Sequence, residues 1–288
     1  KDQGDRVAIE IVTDSSSDMP AEVAGELGIT VVPLNVSFGT EEFKDGVDLP
    51  ADRFYELLST EPEFPKTSQP SVGDFAQTYQ RVSEDADGIV SVHVSSKLSG
   101  TFNSASQART EAAVGCPIEV VDTSQASMGL GMVAMAAARS AQAGGTLEEV
   151  ASAARDAVGL CQCVALFETI EYLRRGGRIG RAGALAGKLL RIRPMIIIRE
   201  GVVHELAKER TRARGIARLQ RTAREFAPLE DLAVMYSTTP DDAADIADSL
   251  RDVLPDGKEP IVARFGPVIG TYTGPGALGL GLFRSRPD

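Results

Sequence analysis

The stretch Ile89-Val-Ser-Val-His-Val-Ser-Ser-Lys-Leu-Ser-Gly-Thr101 decides how the chain is read. Its first six residues alternate and are rich in β-branched side chains, the pattern of a strand. Residues 103–114 carry Ala, Gln, Arg and Glu and predict a helix. Between them lies a hydroxyl-rich turn, Ser95 to Thr101, with one glycine, Gly100. A strand that passes through such a turn into a helix leaves backbone N–H groups unpaired at the helix start. That suits an anion such as a phosphate or a carboxylate. Helix capping by Ser99 or Thr101 is the simpler use of the same hydroxyls.

Upstream, residues 7–12 predict a first strand that runs into Thr13-Asp-Ser-Ser-Ser-Asp18, with Pro20 and Glu22 at a helix start. Asp14 and Asp18 could ligate a metal, but no further ligands are spaced to help, so turn and cap hydrogen bonds are the expectation. A second strand is expected over residues 29–36 and a short helix over 54–58. In Pro65-Lys-Thr-Ser-Gln-Pro-Ser71, Pro70 biases Gln69 toward an extended backbone. Ser71 reads as the N-cap of a helix to Val82, with Asp74 in its first turn. Thr67 and Ser68 are left with no capping duty and form a second set of hydroxyls.

Downstream, residues 118–121 predict a strand ending in Asp122-Thr-Ser124. Residues 128–140 form a small-residue helix suited to close packing. Thr146-Leu-Glu-Glu149 is a capping box opening a helix to about Leu160. Strands alternating with helices imply a mainly parallel sheet, with the loops after its strands gathered at one edge. The second half differs. A helix over 170–179 stops at Gly176-Gly177. Residues 194–205 form a hairpin through Glu200-Gly201. A basic helix covers 210–226, and strands at 233–236 and 261–265 flank a helix over 241–253. The expected fold is α/β in two domains: residues 7–163 around a mainly parallel sheet, and residues 164–284 around a mixed one. Gly274-Pro-Gly-Ala-Leu-Gly279 fits GxGxxG, but has no room before the C-terminus for the βαβ unit a dinucleotide site needs.

Composition narrows the function. The chain has 288 residues, 43% hydrophobic and 25% charged, ordinary for a globular protein. No run reaches the roughly 18 apolar residues of a membrane span, and Lys1-Asp-Gln-Gly-Asp-Arg6 has no secretory pattern. Cys116, Cys161 and Cys163 fit a reducing cytosol, and Cys161-Gln-Cys163 lacks the spacing of a redox or zinc motif. His93 and His204 give no support to a zinc site or a Ser/His/Asp triad. The formal charge is −11, yet 15 of the 30 Lys and Arg lie between Arg174 and Arg224 beside only three acids. That asymmetry points to an anionic partner or to solvated helix faces. Net acidity and 5% aromatic content argue against nucleic acid.

Several motifs then fall into one order. They are Thr13-Asp-Ser15, Thr67-Ser-Gln-Pro-Ser71, Ser95-Ser-Lys-Leu-Ser-Gly-Thr101, Asp122-Thr-Ser124 with Met128-Gly129, Leu173-Arg-Arg-Gly-Gly-Arg-Ile179, Arg210-Thr-Arg212, and Gly266-Pro-Val-Ile-Gly270 with Gly274-Pro-Gly276. In this order, from about Val7 to Leu282, the chain resembles the DegV family. The resemblance implies a cytoplasmic lipid-binding protein, not an enzyme, that holds one long-chain fatty acid between two α/β domains and uses no metal or other cofactor. It also implies a FakB-like role: presenting the acid to a fatty acid kinase that makes acyl phosphate for phospholipid synthesis. The family's head-group hydroxyls correspond to Thr67 and Ser99, with Ser68, Gly100 and Thr101 in the same two loops. Its head-group arginine corresponds to Arg210 and its kinase-docking arginine to Arg178. Tyr272 stands where better-studied members often carry His; it donates a hydrogen bond but stays neutral. The expected partners are the fatty acid and the kinase, with no nucleic acid, no membrane span and at most transient membrane contact.

Physical chemistry supports the same reading. A buried C16 tail gains on the order of 10 kcal/mol gross, at about 0.8 kcal/mol per CH₂. An unpaired carboxylate would cancel much of it, so hydroxyls, helix N–H groups and an arginine are needed at one end. Two other classes compete. One is a metal-dependent phosphotransferase or hydrolase on a small phosphorylated substrate, with Asp14 or Ser99 as nucleophile. The other is a nucleic-acid regulator using the basic segment.

Overall fold

The computed structural model describes residues 8–186 and 192–285. Val7, expected in the first strand, and the polar Lys1–Arg6 lie outside them. In chain order the first part holds β1 (Ile9–Asp14), α1 (Ala21–Leu27), β2 (Ile29–Val32), β3 (Asn35–Phe38), β4 (Glu41–Lys44), α2 (Ala51–Thr60), β5 (Lys66–Ser68), α3 (Val72–Val82), β6 (Gly88–His93), α4 (Thr101–Glu111), β7 (Ile118–Asp122), α5 (Met128–Gln142) and α6 (Leu147–Val158). The second holds β8 (Cys161–Leu166), α7 (Glu171–Arg175), β9 (Arg193–Arg199), β10 (Val202–Glu209), α8 (Arg212–Phe226), β11 (Leu229–Tyr236), α9 (Pro240–Ser249), β12 (Ile261–Arg264), α10 (Pro267–Thr273) and β13 (Leu278–Arg284).

The fold is two-domain α/β. The first domain is built on a four-stranded sheet, β2-β1-β6-β7, in which every pair is parallel. The second is built on a mixed sheet, β10-β9-β8-β13-β11-β12, in which only β11 and β12 run parallel. β8 pairs along its length with β13 in this second sheet, so it runs through the expected boundary between Cys163 and Val164.

The small-residue helix α5 explains how the two sheets share one core. Every residue from Met128 to Met135 is buried. The helix touches β1 and β6 on one side and β8 and β13 on the other. Its Ala and Gly residues let both sheets approach. Gly281 of β13 is part of that fit, because a Cβ there would sit 2.9 Å from the Met128 Cβ. Across the same seam, Arg139 of α5 pairs with both carboxylate oxygens of Asp231 on β11.

The expected strand over 29–36 is in fact two. Pro33 has no N–H to give a ladder, so β2 stays in the parallel sheet and β3 leaves to form a small antiparallel sheet, β4-β3-β5. That third sheet places Thr67 and Ser68 on β5, paired with Val36 and Asn35. The capping boxes at Ser71 and Thr146 are present. So is the hairpin turn, with Glu200 and Gly201 at φ 50° and 77°, the left-handed pair that a two-residue turn requires.

Candidate functional site

Between the two domains lies a cavity lined by residues of both. Its long wall is apolar. β8 gives Cys163 and Ala165, β9 gives Ile196 and Ile198, and β10 gives Val203; Phe167, Leu173 and Phe265 add bulk. The first domain closes the other side with Leu34, Val94, Leu98 and Ala126. Burial in this apolar wall pushes the Cys163 thiol up to about 12, so it stays a neutral apolar lining group.

Hydroxyls gather at one end. Thr67 and Ser68 come from β5, Ser99 from the loop before α4, and Tyr272 and Thr273 from α10. The Thr67 and Tyr272 hydroxyls hydrogen-bond to each other. Ser99 Oγ lies 2.8 Å from Thr101 Oγ1 and accepts weakly from the Thr101 N–H at 3.3 Å. The N-cap of α4 is Gly100, with no side-chain cap, so Ser99 is not spent as a standard N-cap. Gly100 and Thr101 do not themselves line the cavity: Gly100 packs beneath Gln69, and Thr101 is fully buried as the support of Ser99.

Beyond these hydroxyls the site opens into a second space lined by Phe64, Lys66, Arg175 and Arg178 among others. Thr67, Arg178 and Tyr272 line both spaces. This vestibule has three cations and no acid in its lining. Arg175 stacks 4.2 Å over the Phe64 ring, and Arg178 lies 5.2 Å over the Tyr272 ring, both within cation–π range. Arg178 Nη1 donates to Gly176 O at 2.8 Å and Nε to Leu98 O at 3.2 Å, so it ties the end of α7 to the serine loop. Gly176 is needed there because a Cβ would come 2.4 Å from the Tyr272 ring.

The structure brings Thr67, Ser68, Ser99, Tyr272 and Arg178 together and leaves Arg210 apart. Arg178 is exposed and stands beside the hydroxyls, in the lining of both spaces. Arg210 is exposed and does not line the cavity. The reason is local: β10 ends at Glu209, and Thr211 caps α8 by accepting from the Arg214 N–H. The side chain turned inward is Arg212, held by Glu168, Asp242, Thr239 and the Gly276 carbonyl at 2.6–2.9 Å. Part of the basic segment is paired in the same way, as in Arg193–Glu168 and Arg224–Asp252.

Two lining residues, Ser16 and Ser127, were not singled out from sequence. Ser127 has φ 52°, a left-handed backbone that a serine adopts only when its surroundings impose it. Its Oγ donates to Asp18 at 2.5 Å and its N–H to Ser16 O at 2.8 Å. Ser16 in turn donates to Asp14. Asp14 accepts from the Val94 N–H and from His93 Nδ1 at 2.9 Å, while His93 Nε2 accepts from Ser91 at 2.6 Å and Ser91 from Tyr79 at 2.8 Å. This Asp14–His93–Ser91 order mimics a catalytic triad, but all four side chains from Asp14 to Tyr79 are fully buried, so no substrate reaches the serine. The same burial removes Asp14 as a nucleophile. Among the described residues the side-chain partner of Ser99 is Thr101, a hydroxyl and not a base. Among the described residues no group of three metal-ligating side chains is found.

This arrangement, an apolar cavity closed by hydroxyls from Thr67, Ser99 and Tyr272, is accompanied by a match to the DegV family across residues 8–285. The chain belongs to the DegV family. A DegV domain-containing protein of Streptomyces coelicolor is 41% identical over 276 residues, covering 94% of this chain and 97% of that protein. A solved structure of a fatty acid-binding DegV family protein from Thermus thermophilus superimposes with a TM-score of 0.88 at 34% identity, covering 96% of this chain and 99% of that one. A stearic acid-binding protein from Eubacterium ventriosum gives a TM-score of 0.87 at 26% identity, covering 96% of this chain and 98% of that one.

Proposed function

We propose that this DegV protein binds one long-chain fatty acid, with the acyl chain along the β8–β10 wall and the carboxylate at Thr67, Ser99 and Tyr272. The observation that carries this reading is the pairing of a largely apolar cavity with the hydroxyl cluster of Thr67, Ser99 and Tyr272 beside Arg178. Leu, Ile, Val and Phe side chains can take up a hydrocarbon tail. The hydroxyls and the nearby Arg178 can satisfy a carboxylate that would otherwise be costly to bury. The fatty acid binding of the Thermus relative and the stearic acid of the Eubacterium one support the ligand class.

The finer step is presentation of the bound acid to a fatty acid kinase. The head group lies between the cavity and a vestibule lined by Lys66, Arg175 and Arg178. A phosphoryl group joined to the carboxylate would project into that space, and three cations there suit its charge. The role belongs in the cytoplasm, where Cys116, Cys161 and Cys163 stay as free thiols. The test is mass spectrometry of organic extracts of purified protein, which should give about one fatty acid per chain. Extracts without stoichiometric fatty acid from several expression hosts would overturn the reading.

A further inference from the structure

The vestibule carries more positive charge than one carboxylate needs. Thr67, Ser99 and Tyr272 offer hydroxyls to the head group, and Arg178 lines both spaces beside them. Lys66 and Arg175 are two further cations, and they line the vestibule but not the cavity. Among the described residues neither forms an ion pair, and no acid lines the vestibule with them. Arg174 and Arg175, side by side at the end of α7, are used differently. Arg174 gives two N–H groups to Glu171, at 2.8 and 2.6 Å. Arg175 instead lies 4.2 Å over the Phe64 ring, and Phe64 leans on Tyr172 with ring centroids 6.1 Å apart. A stacked guanidinium spends its face and keeps its in-plane N–H donors free for an anion. Lys66 precedes Thr67 on β5, so one strand carries an ammonium and a head-group hydroxyl.

The next step rests on the reading above, a fatty acid held at Thr67, Ser99 and Tyr272 and phosphorylated there. In that reaction one carboxylate oxygen takes the phosphoryl group from the kinase's phosphoryl donor. The charge at the head group rises from one toward two, and three terminal oxygens are added. We propose that Lys66 and Arg175 form a phosphoryl subsite, so that the protein binds the acyl phosphate more tightly than the fatty acid it is made from. Tighter binding of the product moves the phosphorylation equilibrium on the protein toward acyl phosphate by the same factor.

The probes are palmitate and a stable analogue of palmitoyl phosphate in which a methylene group replaces the bridging oxygen. Both are titrated calorimetrically into delipidated protein at low salt. The analogue should bind about tenfold or more tighter, the scale of one or two charge-assisted contacts. Lys66→Gln and Arg175→Gln should each remove most of that advantage and leave palmitate affinity within about twofold, since both side chains are exposed. Phe64→Leu removes the stacking ring without changing charge, and should weaken the analogue alone by freeing Arg175. Arg214→Gln, an exposed change on α8 outside the vestibule, should alter neither ligand. Absence of palmitate binding would overturn the fatty acid reading and the subsite with it. With palmitate bound normally, equal affinity for the two ligands, an advantage that survives both glutamine variants at 66 and 175, or an equal loss in Arg214→Gln would each overturn the subsite alone. So would an intact preference for the analogue with weakened kinase binding, because the two cations would then serve the partner.

Discussion

At the scale of single residues, the proposed head-group site is formed by Thr67 of β5, Ser99 of the loop before α4 and Tyr272 of α10. Each hydroxyl is held by a neighbour: Thr67 by Tyr272, and Ser99 by Thr101. Thr67→Ala and Ser99→Ala should therefore each weaken fatty acid binding by about 1–3 kcal/mol, the cost of leaving a buried polar partner unmatched. Titration calorimetry on delipidated protein measures this, and the double variant should lose less than the sum if both touch one carboxylate. Unchanged affinity in both single variants would move the head group elsewhere. Arg178 has a different signature. Its two hydrogen bonds go to backbone carbonyls, and its position in the lining of both cavity and vestibule puts it within reach of a phosphoryl group joined to the carboxylate. Arg178→Ala should lower acyl phosphate formation with a cognate kinase well beyond its effect on fatty acid affinity. Equal losses in both assays would assign it to the lipid alone.

At the scale of elements, α5 is the piece on which the architecture turns. Packed between two sheets, it has no solvent face to relax into from Met128 to Met135, so added volume must displace a strand. Ala134, fully buried in that stretch, is the sharpest probe: Ala134→Leu should cost about 1–3 kcal/mol by overpacking, read as a lower urea midpoint at an unchanged slope. A neutral result would mean that the sheets are looser around α5 than its burial indicates. This helix also marks what sequence could reveal. Its Ala and Gly content gave close packing, but not that both faces were covered, because an all-round pattern has no direction. The parallel sheet, the capping boxes at Ser71 and Thr146 and the Glu200-Gly201 hairpin were legible from local signals. β5 was not, since three residues pairing with β3 across about thirty others leave no periodicity. α10 and β13 were hidden by glycines at 266, 270, 274, 276, 279 and 281, which suit close contacts and depress both helix and strand propensity. At the site, Thr67 and Ser99 lie in legible motifs and Tyr272 could be named only through the family resemblance, whereas Ser16 and Ser127 depended on a strained turn that no composition reveals.

At the scale of the whole molecule, the two domains are joined at the first turn of α10, the helix that carries Tyr272. Asp18 accepts from the Gly266 N–H at 2.8 Å, and Asp45, which accepts from Ser15 Oγ at 2.7 Å, also takes the Val268 N–H. Burial, opposed by these hydrogen bonds, raises the Asp45 carboxyl to about 7 and pushes Asp18 well up in the same direction. Between the unfolded value of 3.8 and about 7, the folded protein therefore keeps a proton on Asp45 that the unfolded chain has released. Stability contributed by that proton is fully present below the lower value and is lost as pH rises through the upper one. The expected loss across this window is on the order of 4 kcal/mol. Carboxylates with lowered values, such as Asp74 beside Lys44 and Ser71, act in the opposite sense at lower pH, so the wild-type profile alone does not isolate the effect. Asp45→Asn does, because an amide cannot ionise but still offers an oxygen to Ser15 and Val268. Urea denaturation from pH 4.5 to 7.5 should show the variant losing less stability than wild type as pH rises, with the gap opening above about pH 5. Parallel profiles for the two proteins would mean that Asp45 titrates normally and that the domain junction has no proton of its own.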